Sequence, residues 1–100
     1  MSNTIDEIKE VLYETKFADG TEITDYTAVG IAEGFEDSTA ESENEVTKDT
    51  IRAWSYICGK RLYTHLQGFF GRNVHCMIDA NIFDNNGKVN WNIVEKQINS

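Results

Sequence analysis

Ile51, Trp54, Cys58, Leu62 and Leu66 recur at steps of three and four residues along TIRAWSYICGKRLYTHLQ. This row of apolar side chains constrains the fold more than any other feature of the chain. Such steps place side chains on one side of an α-helix, so the segment predicts a helix whose stripe the remaining chain must cover. Asp49 or Thr47 stands where a residue is needed to cap its start. Gly59, near the middle, offers a point for one helix to end and another to begin. A second stripe follows Gly68, carried by Phe70, Val74, Met77 or Ile78, and Ile82. The 100-residue chain has no proline, so the strongest helix breaker interrupts neither stripe.

The flanks supply what could cover them. TIDEIKEVLYETKF predicts a first helix, with Thr4 and Glu7 as a capping box and Ile5, Ile8, Val11 and Leu12 toward one side. Asp19-Gly20 ends it. Residues 24–35 suit two readings. One is a short helix capped by Thr24 or Asp25 with Tyr26, Val29, Ala32 and Phe35 inward; the other is a strand favoured by β-branched residues. Residues 36–49 are acidic and polar and predict a loop, or an extension of the helix that follows. Asn86-Gly87 is a favoured two-residue hairpin turn, with Phe83, Val89 and Trp91 packing back, and Asn90 can cap a closing helical turn. The expected fold is mainly α: one domain over residues 1–100, a small bundle of about four helices with a short C-terminal β-hairpin.

Charge is divided unevenly. Residues 1–50 carry fourteen acidic and three basic side chains, net −11, while residues 51–100 carry three acidic and six basic, net +3. The acidic half can shield the basic half, imitate nucleic acid, or simply keep the chain in solution. No apolar run approaches the roughly 18 residues that span a bilayer, so no membrane partner is expected. MSNTIDEIKE lacks the basic and apolar regions of a secretory signal. Cys58 and Cys76 are too few for a disulfide framework and are expected as reduced thiols in the cytoplasm.

Each candidate site competes with a plainer reading. In LQGFFGR, Gly68 and Gly71 are expected to shape a corner between two helices, with Leu66, Phe69 and Phe70 filling it and Arg72 left over. A phosphate loop would need more glycines and a Lys-Ser/Thr pair. A helix, a GFFG turn, a second helix and a ribbon outline a winged helix-turn-helix with Lys60, Arg61, Arg72 and Lys88 on phosphates or bases. The small basic count and the net charge of −8 disfavour nucleic acid as a partner. His65, His75, Cys58 and Cys76 match no zinc spacing, so neither metal nor cofactor is expected. Arg72, His75 and Asp79 share one helix side, either as a reactive row with His75 as base or as a solvated row of charges. Nothing marks a nucleophile, so the expectation leans away from an enzyme.

From about residue 23 to 89 the chain resembles a set of small bacteriophage proteins that carry no assigned activity. Three blocks hold the likeness: Ala53, Trp54, Tyr56 and Ile57; Leu66, Gln67, Gly68, Phe69, Phe70, Gly71 and Arg72, matching LQG-[WHF]-[YF]-GR; and Met77, Ile78, Asp79 and Ala80. Asn81 stands where that pattern shows glycine, which suits a left-handed helix end. The resemblance implies a phage origin and no particular chemistry. The expected function is therefore a non-enzymatic accessory protein in the cytoplasm of the infected host cell, binding a host or phage protein. Its expected contacts are Arg61, Arg72, His75 and Asp79, or the acidic 36–49 segment. A helix-turn-helix regulator is the alternative, and a homodimer remains open.

Overall fold

A computed structural model describes residues 11–99. The chain is mainly helical, with four α-helices among the described residues: α1 Asp25–Glu33, α2 Glu43–Gly59, α3 Gly68–Asp79 and α4 Trp91–Asn99. A short 3-10 helix, Leu62–His65, lies between α2 and α3.

α2 is the centre of the fold. Ala53 to Cys58 are six consecutive buried residues, which happens only when a helix is enclosed on every side. Trp54 and Cys58 of the predicted stripe lie in this belt, and Ile51 is half-buried. Leu62 and Leu66 continue the stripe from outside the helix, because α2 ends at Gly59 and Arg61 takes a left-handed backbone at φ 61°. Phe70 and Val74 of α3, Val94 of α4, Ala28 of α1, and Ile23, Ile82, Phe83 and Val89 complete the core.

α2 starts earlier than expected. Ser42 caps it by accepting from the Glu45 backbone N–H at 3.2 Å, so residues 43–49 are its first two turns and the acidic loop shrinks to 36–42. Asp49 therefore caps nothing. It is buried to 1% exposure and accepts from the Ala18 N–H at 2.9 Å, the Ser38 hydroxyl at 2.6 Å and the Arg52 guanidinium at 2.7 Å.

Ser55 acts in the same way one and a half turns on. Its hydroxyl accepts from the Glu14 N–H at 2.9 Å and donates to the Gly87 carbonyl. These two side chains explain why the helix predicted from Thr4 to Phe17 does not form over residues 11–17. Their backbone donors bond sideways to α2, and the chain runs extended to a single Lys16–Glu22 bridge. The earlier part of that predicted helix lies outside the described residues.

Of the two readings of residues 24–35 the helical one holds, over Asp25–Glu33. Thr24 and Thr27 cap α1 reciprocally. Its inward residue is Ala28, whereas Tyr26 and Phe35, expected inside, are 75% and 81% exposed. The expected C-terminal hairpin reduces to one antiparallel bridge, Phe83–Val89, with no strand among the described residues. Its loop is three residues rather than two. The Gly87 N–H bonds the Asp84 carbonyl, Gly87 sits at φ 82°, and the Asp84 carboxylate accepts from the N–H groups of Asn86 and Lys88. Bending this tightly leaves room for one bridge before Asn90 caps α4, accepting at 3.4 Å from Ile93.

Asn81 is left-handed at φ 64°. The Ile82 N–H reaches back to Met77 and the Asn81 N–H to Ile78, closing α3 in a Schellman arrangement. In LQGFFGR, by contrast, the glycines shape no corner: the chain turns from the 3-10 helix into α3 at Leu66–Gln67. Gly68 opens α3 and has no left-handed backbone, and a methyl group on Gly71 would meet only the Tyr63 ring at 3.8 Å. Gly71→Ala should therefore raise stability by about 0.5–1 kcal/mol, since alanine is the better helix former. A thermal melt checks this, and a fall in Tm would show that Gly71 serves a purpose beyond the helix.

Candidate functional site

The LQGFFGR block divides between two sides of α3. Phe70 is buried and lies 5.8 Å from the Trp54 ring, while Phe69 stays 42% exposed with its ring 6.0 Å from Trp54 and 5.1 Å from Phe70. Trp54 thus holds both phenylalanines, one as core and one as surface. Leu66 is half-buried, and Gln67, at the cap position of α3, is exposed and makes no side-chain capping bond.

Arg72, His75 and Asp79 all project into solvent from α3. Arg61 comes to the same region from the α2 end. Its guanidinium donates to the Tyr63 hydroxyl at 3.1 Å, and the Tyr63 ring meets His75 edge-on at 6.1 Å. That hydroxyl raises the guanidinium pKa further above its already high value, so Arg61 is a permanent cation. Tyr63 therefore brings Arg61 and His75 together. The only sequence hint of its part is an aromatic two residues after an arginine. Among the described residues the Arg72 side chain makes no ion pair and no hydrogen bond, and no ion pair joins Asp79 to His75. The row is a mixed, solvated surface with one unpaired guanidinium beside an exposed phenyl ring.

The other candidates are placed elsewhere. Lys60 is tied to α1, its ammonium 3.1 Å from both the Asp25 carboxylate and the Tyr56 hydroxyl. Those bonds and the negative charge of Asp25 raise the Lys60 pKa, while the Tyr56 hydroxyl, donating to Asp25 at 2.7 Å, and the Lys60 ammonium lower that of Asp25. Cys58 is enclosed, with its thiol directed at the Asp84 and Asn85 carbonyls, and burial pushes its pKa up to about 11. It is a neutral thiol at physiological pH. Cys76, His65 and His75 are exposed. No group of three or more His, Cys, Asp or Glu side chains among the described residues is arranged to hold a metal ion. An open groove of about 670 Å³ lies where the Asp84–Lys88 loop meets α4, lined in part by Asn81, Asn85, Trp91 and Ile93. Lys88 of the helix-turn-helix reading also lines it, whereas Arg61, Arg72, His75 and Asp79 do not.

The helix-turn-helix geometry fits poorly. Residues 60–67 make an eight-residue connection between α2 and α3, where the DNA-binding motif uses a turn of about three or four. α3 offers duplex DNA a single arginine and carries Asp79 on the same side. No helix among the described residues is long and apolar enough to cross a membrane. No known protein family, curated protein or solved structure matches this chain.

Proposed function

We propose that this chain is a non-enzymatic bacteriophage accessory protein that binds a macromolecule, a host or phage protein, in the cytoplasm of the infected cell. The phage attribution rests on the LQGFFGR likeness and its companion blocks. The binding role rests on one observation: the Arg72 side chain stands in solvent without a partner among the described residues, close along α3 to the exposed ring of Phe69. An arginine beside an aromatic is the composition that carries most binding energy at protein contacts. Its planar fork bonds carboxylates bidentately. Arg61, Tyr63 and His75 extend the same surface.

The test is capture of a partner on immobilised protein from infected-cell lysate, run beside Arg72→Ala. A specific partner should be retained by the wild type and bound about tenfold or more weakly by the variant. Capture that Arg72→Ala leaves unchanged, or a blank across several hosts, would overturn the reading. Retardation of duplex DNA that falls steeply with salt would favour the helix-turn-helix alternative instead.

A further inference from the structure

Residues 17–47 contain nine carboxylates and no lysine or arginine, and the structure gathers part of this stretch around a small cavity. The cavity measures about 160 Å³. Phe17 and Ile31 form apolar walls, Glu36, Asp37 and Asp49 contribute carboxylates, and the rest of the lining is threonine and serine. Asp49 is already neutralised by Arg52 at 2.7 Å. The side chains of Glu36 and Asp37 are exposed and form no ion pair or hydrogen bond among the described residues. No cationic side chain among the described residues lines the cavity.

Phe35 directly precedes these two carboxylates in the chain, and its exposure has a specific cause. α1 closes with Gly34 at φ 84°, and the N–H groups of Phe35 and Glu36 both bond the Gly30 carbonyl. In this helix ending the residue after the left-handed one normally packs on the side chain three positions inside the helix end. Here that position is Gly30, which has no side chain, and the Glu36 stem lies across it. Phe35 is left 81% in water, next to Glu36 and Asp37 in the chain.

We infer that this cavity is a recognition site for an arginine side chain of a protein partner. The apolar walls suit the methylene stem, the two carboxylates suit the guanidinium fork, and the exposed ring of Phe35, next to Glu36 in the chain, suits stacking of that planar cation. A phosphate-bearing partner is excluded by the same carboxylates. The site stands apart from the α3 surface, so either can fail without the other.

The test is NMR titration with two capped peptides, tetra-arginine and tetra-lysine, at physiological salt. Tetra-arginine should shift the amides of Ile31 and residues 35–39 in a saturable way and bind more tightly than tetra-lysine. The isosteric double variant Glu36→Gln/Asp37→Asn should weaken it about tenfold or more. Phe35→Ala should weaken it severalfold, and Arg72→Ala should leave it unchanged. These residues are exposed, so the variants keep the fold. Equal binding of the two peptides would reduce the attraction to point charge and overturn the inference. So would shifts spread evenly over all the acidic segments, or full affinity in the double variant.

Discussion

Asp49→Ala should cost about 3–5 kcal/mol of folding stability, the penalty typical of breaking a buried, hydrogen-bonded ion pair from one side. The carboxylate serves three donors from three parts of the chain: the Ala18 N–H, the Ser38 hydroxyl and the Arg52 guanidinium. Alanine leaves the first two without their acceptor at a site that water reaches poorly. Arg52 suffers less, because Glu45 and Glu14 stand 3.7 and 3.8 Å from it and its guanidinium lies 5.0 Å over the Trp91 ring. Asp49→Asn should be milder, at about 1–2 kcal/mol, since its amide oxygen still accepts from Ala18. Urea unfolding of both variants measures this. A loss under about 1 kcal/mol for alanine would show that the three bonds are dispensable.

Gly87→Ala should cost about 3 kcal/mol, through two separable effects. The first is backbone strain, since φ 82° is left-handed and a Cβ there costs roughly 1–2 kcal/mol. The second is collision. The added carbon would lie 2.5 Å from the Ser55 carbonyl oxygen and 2.8 Å from the Tyr13 Cβ. The Ser55 carbonyl belongs to the enclosed stretch of α2, so the loop must lift away and surrender the Ser55–Gly87 hydrogen bond. Gly87→Asn separates the effects, because asparagine tolerates the left-handed region but still brings a Cβ. Equal losses for alanine and asparagine would assign the cost to collision, and rescue by asparagine would assign it to strain. A Tm within a degree or two of wild type for both would contradict the packing of this loop on α2.

The helical part of this fold was legible wherever the signal was periodic. The stripe through Trp54 and Cys58 located the central helix, Phe70 and Val74 located the next, and Asn81 was correctly placed as a left-handed helix end. What stayed hidden depends on contacts between distant residues. Leu12 continues a plausible helical pattern, but the backbone donors of Glu14 and Ala18 are claimed by Ser55 and Asp49, 41 and 31 positions away. Asp49 looked like a helix cap because a short acid near an apolar run usually is one. Ser42, with Glu45 three residues on, was the local signal that α2 begins sooner.

The site divides in the same way. Exposure of Arg72, His75 and Asp79 follows from helical spacing, whereas the Tyr63 bridge to Arg61 requires the left-handed turn at Arg61 itself. Phe35 was expected inside because its spacing from Tyr26, Val29 and Ala32 is helical. Gly34 ends the helix one residue too early for that spacing to apply.

The polar side chains of α2 have a consequence for the order of events in folding. Helix formation is local and fast, whereas joining residues 26 to 41 positions apart requires closing long loops first. Asp49, Ser55 and Cys58 can receive the arm at 14–18 and the loop at 84–87 only once α2 has presented them in register. The arm and the loop are therefore late arrivals, latched onto a scaffold that forms without them. Weakening the latches should hasten unfolding and leave the folding rate nearly untouched.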